Sequence, residues 1–460
     1  MATIIFESLG IKAARTTVPH IVINLSDVNS MRSTPIFMLN DDILIAIFSM
    51  LGRAEPALLL ENNHFGPPSL TRVLLCVALV CKKWSSIASG MLFKRSQIGS
   101  HDALRFYIRE LKAARKRGMS LSFISSFTFF PPLMELADSL NGSPNRIKPQ
   151  ERRQDNKDLR EALSLVPNTA ALSLKASPPQ FTYLMRQTWF RSADLVTLHI
   201  AHPSTVKEVA NIPYDLPNLR TLILQNLRAS NNSKWPTAPK LEMLRLINVE
   251  LEASTDPSAS GEIVLDPFKN LRKVELIDVH YAVGELKPFL RQSSNTLEYL
   301  SLVNVGGPDF ATLIYDLGFL QALRGLCIGP YAFKAVDEQQ TRGRFPESLE
   351  CLTIWQLLKP RLTEGTMPVS DNITGLTTFL SDVQFRNPNL HTIRMRGADY
   401  ELAPYRTTLS NACPAGVTIE MSTFKFQTYI QADIPWKTKT WNAVTYAPSV
   451  VLSLFHKNSN

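Results

Sequence analysis

One pulse recurs along most of this chain and limits what it can fold into. The pattern is Leu-x-x-Leu-x-Leu. It occurs as Leu219, Leu222, Leu224; Leu241, Leu244, Leu246; Leu271, Val274, Leu276; and Leu297, Leu300, Leu302. Further copies are Leu323, Leu326, Ile328; Leu349, Leu352, Ile354; and Leu390, Ile393, Met395, with looser ones at Thr169, Leu172, Leu174 and Leu195, Leu198, Ile200. Successive starts from 169 to 349 lie 22 to 30 residues apart, and the longer step to 390 implies an insertion at about 360–378. Pro-Asn precedes three copies (Pro167-Asn168, Pro217-Asn218 and Pro388-Asn389). Asn226, Asn248, Asp278 and Asn304 each follow two residues after a third apolar position.

In a strand alternate side chains share a face, so the fourth and sixth residues of the pulse point into one core. The first anchors the turn leading into the strand. Some twenty residues then cross the far side and return one strand spacing along. A single unit of this kind cannot bury its apolar face, but a stack can. The competing reading is an unrelated α/β domain whose strands happen to contain leucine.

These pulses resemble leucine-rich repeats over about residues 160–420, which implies an α/β horseshoe with parallel strands on its concave face. The chain departs from the commonest form of that repeat. Leu227, Val249, Val279 and Val305 hold the ninth position, and the Asn or Asp comes one residue early. A regular buried asparagine ladder is therefore not expected.

Ahead of the repeats the texture is helical. Residues 39–51 combine an N-cap at Asn40 or Asp41, acidic residues suited to the positive end of a helix dipole, and an apolar face of Ile43, Ile47, Met50 and Leu51. Leu39 can fold back on Leu44 as a hydrophobic staple. A second helix, about 73–89, carries Leu74, Val77, Cys81, Trp84 and Ala88 on one stripe, followed by Met91-Leu92-Phe93. Leu39, Asp42-Ile43, Ile47-Phe48, Leu51, Val80-Cys81-Lys82-Lys83-Trp84 and Leu92-Phe93 together resemble an F-box. Asn40 stands where that family usually has Pro, and residues 53–71 form an insertion between its halves.

The resemblance implies docking onto the Skp-type adaptor of a cullin-RING ubiquitin ligase. Leu39, Ile43, Ile47, Leu51, Val80, Cys81 and Trp84 would supply the docking surface or its support. The pairing of an F-box with leucine-rich repeats is a familiar one, in which the repeats present a degradation target. Residues between the buried leucines face the concave side, so target recognition is expected at Arg245, Lys273, Glu275, Tyr299, Trp355, Arg394 and Arg396. The alternatives are a scaffold that uses the adaptor without ubiquitin transfer, and a basic solenoid in nuclear transport or nucleic-acid binding.

The expected organisation is a leader at 1–33, the helical module at 34–98, a helical linker and irregular segment at 99–158, the solenoid at 159–420, and a cap or tail at 421–460. The tail is aromatic, with Phe424, Tyr429, Trp436, Trp441 and Tyr446.

Composition fits a binding protein in a reducing compartment, cytoplasmic or nuclear. The formal charge of +9 is mild over 460 residues, and five scattered cysteines suggest neither a disulfide framework nor a zinc site. No apolar run reaches the ~18 residues of a membrane span. No phosphate-binding glycine loop, nucleophile elbow or zinc-protease helix appears, so neither catalysis nor a cofactor is expected. His199 and His202 have i, i+3 spacing without an evident third ligand, and read as structural rather than as a metal site. Arg109, Lys112, Arg115, Lys116 and Arg117 read as the solvated end of a helix capped by Gly118, with a nuclear-localisation patch as the alternative.

Overall fold

The structure is a computed structural model. It describes residues 40–53, 74, 82–98, 101–118, 120–122, 124–129, 149–175, 184, 192–202, 208–209, 212, 215–229, 235–251, 268, 270–281, 286–306, 313, 316–329, 345–355, 389–398 and 417–424. The expected leader, the inserted loop beyond Arg53, the 360–378 insertion and the tail after Phe424 lie outside the described residues.

Each pulse forms one strand. In chain order the first helices and strands are α1 (Asp41–Arg53), α2 (Lys82–Lys94), β1 (Arg95–Ile98), α3 (His101–Lys116), β2 (Ser126–Phe129), α4 (Pro149–Leu165) and β3 (Ala171–Lys175). Then come β4 (Thr197–Ala201), β5 (Glu208–Val209), β6 (Thr221–Gln225), β7 (Leu227–Ala229), β8 (Met243–Ile247), β9 (Glu250–Leu251), β10 (Lys273–Ile277) and β11 (His280–Tyr281). The rest are α5 (Leu286–Gln292), β12 (Tyr299–Val303), β13 (Gly325–Ile328), β14 (Cys351–Trp355), β15 (Thr392–Ala398) and β16 (Thr418–Phe424).

Twelve strands make one sheet in the order β1-β2-β3-β4-β6-β8-β10-β12-β13-β14-β15-β16, and β11-β9-β7-β5 make a second. All the named pairings are parallel, and each neighbour in the large sheet lies one coil further along the chain. The molecule is thus a mixed α/β solenoid of stacked coils, an architecture compatible with a leucine-rich-repeat type.

The register explains why the pulse repeats. Leu222 pairs with Leu244, Leu244 with Val274, Val274 with Leu300, and Leu300 with Leu326, so apolar residues stack in columns. Leu222, Leu244, Val274, Leu300 and Leu326 are fully buried, as are the turn anchors Leu219, Leu271, Leu297, Leu323 and Leu349. Burying a leucine side chain contributes about 1.5–3 kcal/mol. Only the column brings enough of them together to hold a coil of this length.

The early Asn or Asp also has a physical reason. Asn226, Asn248, Asp278 and Asn304 have φ of 58°, 51°, 53° and 53°, the left-handed region that these two residue types tolerate best among those with side chains. That conformation turns the chain out of the large sheet. The next residues (Leu227, Val249, Val279 and Val305) point into the core at the corner. The polar side chains form a short ladder outside them. Asn248 Nδ2 donates to Asn226 Oδ1 at 2.8 Å, Asn226 Nδ2 to the His202 carbonyl at 3.3 Å, and Asn304 Nδ2 to Asp278 Oδ1 at 2.5 Å.

The sheet starts ahead of residue 159. β1 and β2 add two strands, and the helices beside them face the same core through Leu104, Tyr107, Ile108 and Leu111 of α3 and Leu159, Ala162 and Leu163 of α4. The described residues within 99–158, expected as a helical linker and irregular segment, therefore carry solenoid structure. These coils lack leucine at the column positions. Phe127 and Phe129 fill one, and Ser96 and Ile98 fill the other, with Ser96 Oγ and Tyr107 Oη sharing a hydrogen bond of 2.5 Å. Arg105 Nε pairs with Asp158 at 3.0 Å and Lys112 pairs with Glu161, tying α3 to α4. At the other end β16 carries the sheet past residue 420.

Candidate docking helices and concave face

α1 begins where its cap residue dictates. Asn40 Oδ1 accepts from the Asp42 N–H at 3.4 Å, and the Asn40 carbonyl accepts from Leu44 N–H at 3.1 Å. Leu44 is the inward residue, 1% exposed. Successive helical residues are 100° apart, so Ile43 and Ile45 flank Leu44 on either side and Ile47 returns near Ile43. All three isoleucines are exposed, at 48%, 41% and 39%. Of the expected docking residues, Ile43 and Ile47 thus stand at the surface together. Ile45 was not singled out in the sequence, because it falls off the Ile43–Ile47 stripe.

Trp84 is half-buried on α2. Leu51 is in α1, but its side chain, like Leu39, Val80 and Cys81, is outside the described residues. Lys83 Nζ pairs with Asp41 at 3.2 Å, joining the first turns of the two helices. The described part of α2 extends to Lys94, so Met91-Leu92-Phe93 is helical rather than a trailing segment. No residue separates α2 from β1. Phe93 packs against the solenoid core and stacks with Tyr107, ring centres 6.3 Å apart. The helix pair is therefore built onto the first coil without a linker.

Along the outward face of the large sheet, expected to be concave, the expected target-binding residues form two groups. Arg245 and Glu275 are register partners on β8 and β10, and Lys273 lies two residues before Glu275 on the same face. Arg245 Nε is 3.2 Å from one Glu275 carboxylate oxygen and Lys273 Nζ is 2.9 Å from the other. Lys273 also sits 4.8 Å from the centre of the Tyr299 ring. That ring lies across Gly325 on the next strand, where a Cβ would meet Tyr299 Cδ2 at 2.8 Å. Two strands further on, Arg394 Nε pairs with Glu420 at 2.6 Å. Arg396 is the register partner of Trp355, and both side chains are outside the described residues.

The two groups differ electrostatically. Burial pushes the Arg245 guanidinium below its ordinary range, although Glu275 and Tyr299 pull the other way. Arg394 is held above that range, chiefly by its hydrogen bond to Glu420. Between them lies an apolar floor that was not legible from the pulses. Val303 and Cys327 are buried on the outer side of the sheet, packed by Ile277 and Tyr299.

His199 belongs to the same face, pairing in register with Ile223. Burial pushes its imidazole down to about 4, partly offset by a hydrogen bond to Gln225, with Arg245 adding a further lowering. His202 is buried at the corner, and its N–H donates to the Gln225 carbonyl at 2.9 Å. Among the described residues no group of three or more His, Cys, Asp or Glu is placed to hold a metal ion. No described helix is long and apolar enough to cross a membrane. Arg115, Lys116 and Arg117 are exposed where α3 ends, and Gly118 adopts φ 77° there.

A further pattern runs along the rim, at the residue just after each turn-anchoring leucine. Arg220, Glu242, Arg272, Glu298, Arg324 and Glu350 occupy six successive coils there, and after Arg220 each N–H donates to the preceding member's carbonyl. Their charges alternate without exception. Arg220 pairs with Glu242 at 3.0 Å, Arg272 with Glu298 at 2.5 Å, and Arg324 with Glu350 at 3.9 Å. A scan of the chain against models of known families gives no match, and comparison with curated proteins gives none either.

Proposed function

We propose that this chain is a non-catalytic substrate receptor of an SCF-type cullin-RING ubiquitin ligase. Its N-terminal helices dock a Skp-type adaptor, and a leucine-rich-repeat solenoid holds the target. The observation that carries the reading is the exposed pair Ile43 and Ile47 on one side of α1, with Ile45 exposed on the other side of Leu44. Water-exposed isoleucines grouped on one short helix are what a partner covers, each side chain worth about 1.5–3 kcal/mol when fully buried. The F-box-like run at 80–84 supports the same reading, as does the direct passage of α2 into the sheet. A rigid join holds the two binding surfaces in a fixed relation. A target on the concave face would then sit at a set distance from the ubiquitin-charged enzyme, and catalysis would follow from proximity.

The charge pattern favours a protein target over nucleic acid. Rim arginines are matched one to one by glutamates, which leaves no continuous basic stripe there. A receptor of this kind would work in the cytoplasm or nucleus.

The test is co-purification of the Skp-type adaptor with the full chain. Ile43→Glu/Ile47→Glu should abolish it while leaving the circular dichroism spectrum unchanged, since both side chains are already at the surface. Trp84→Ala should have the same effect on adaptor binding. Equal adaptor recovery from wild type and the isoleucine variant would overturn the reading, and so would no recovery from wild type. Ubiquitin transfer to a bound partner, lost with the isoleucine variant, separates a receptor from a scaffold.

A further inference from the structure

We propose that the concave floor around Arg245, Lys273 and Tyr299 is a subsite for one acidic side chain, carboxylate or phosphate, of an extended protein segment. The inference rests on the reading of the concave face as the target-binding face. β6, β8, β10, β12 and β13 read TLILQ, MLRLI, KVELI, YLSLV and GLCI, and their only charged residues are Arg245, Lys273 and Glu275. Two cations share one carboxylate, so among the described residues of these five strands the floor carries one positive charge in excess.

Arg245 and Glu275 side chains are 16% and 6% exposed, so water compensates them poorly. The lowered basicity of Arg245 points the same way: its neighbours do not fully offset the loss of water. An incoming anion would supply what is missing. At this depth a charge-assisted hydrogen bond is stronger than at an exposed rim.

Ile223, Met243, Ile247, Ile277 and Tyr299 are half-buried on the same face, and Ser301 is the register partner of Glu275 on its other side. An isolated excess charge on an apolar floor suits a single acidic residue with apolar neighbours. A polyanion would need cations repeated along its length. Lys273, with its side chain 41% exposed and near the Tyr299 ring, is the group within reach of an arriving ligand.

The experiment screens the full-length chain against an oriented synthetic peptide library. One position is varied among Asp, Glu, phosphoserine, phosphothreonine, Lys and neutral residues. Retained peptides should carry one acidic residue with apolar flanks, and the preferred acid identifies the source as carboxylate or phosphate. Lys273→Glu and Arg245→Gln should each weaken the selected peptide by about tenfold or more. Arg272→Glu, on the rim, should change it by less than about twofold. Retention indifferent to the acidic position would overturn the proposal, as would no retained peptide, or unchanged affinity in Lys273→Glu. Adaptor recovery is read separately in the same variants. An acidic preference without adaptor binding defeats the ligase reading alone, whereas adaptor binding without an acidic preference defeats this one alone.

Discussion

The rim and the outward floor of the large sheet use the same residue types to opposite ends. On the rim, Arg220 to Glu350 alternate in sign over six coils, at exposed positions with one partner each. On the floor, in the second and third of those coils, Arg245 and Lys273 converge on a single buried Glu275. Arg272 on the rim is held above its ordinary range by Glu298, while Arg245 on the floor is pushed below it by burial. Charge on the rim is matched and wet, and serves to keep coils in step. Charge on the floor is under-matched and, at Arg245 and Glu275, dry, which leaves something for a ligand to satisfy.

The strongest way to break this contrast is to remove the carboxylate that the floor depends on. Glu275→Ala would leave two cations facing each other without their shared anion. Loss of one member of a buried pair costs about 3–5 kcal/mol, because the remaining charge stays out of water. Chemical denaturation of the full chain should show a loss of that size. A loss as small as that from Glu242→Ala would mean that the floor is no drier than the rim.

Acid should separate the two regions next. His199 lies on the floor and titrates near 4 when folded, against an ordinary value of 6.5. Between those values the unfolded chain binds more protons than the folded one, so stability rises with pH there. The contribution should be whole above about pH 6.5 and fall away as pH drops towards 4, by at most about 3 kcal/mol. Denaturation midpoints measured across that window should slope for wild type and flatten in His199→Gln. Equal slopes would place the imidazole in water rather than in the floor.

What the sequence disclosed follows the same division between buried and surface physics. The columns were legible because leucine recurs wherever the sheet buries a side chain, and the register joins those leucines directly. The coils at the start were not. Phe127, Phe129 and Ser96 fill the same columns with other shapes, and the Ser96–Tyr107 hydrogen bond compensates a polar residue in an apolar place. Asn226, Asn248, Asp278 and Asn304 were visible as a pattern, but their purpose required φ. On the large sheet the pulse indicated which residues face outward, and hence Arg245, Lys273, Glu275 and Tyr299. It carried no information on how many cations share a carboxylate. The rim row escaped notice because alternation appears only once coils of unequal length are aligned. α1 sits between these cases: Leu44 and Ile43 are adjacent apolar residues, and only packing decides that one goes in and the other out.

The smallest effect offers the finest test, because it asks whether the rim acts as three separate pairs or as one row. Glu242 raises the basicity of Arg272 as well, so the pairs are not isolated. Arg272→Glu alone would set three carboxylates in succession at 242, 272 and 298, and should lower the thermal midpoint by about 1–2 °C. Adding Glu298→Arg restores the pair within itself but makes both outer contacts repulsive, Glu242 against the new carboxylate and the new guanidinium against Arg324. Separate pairs predict that the double variant recovers the wild-type midpoint. A continuous row predicts that it recovers only part, with the deficit shrinking in high salt as screening removes the longer-range repulsion before the contact pair. Calorimetry of the three proteins at low and high salt distinguishes the two. Full recovery at low salt would show that the alternation stabilises the solenoid only pair by pair.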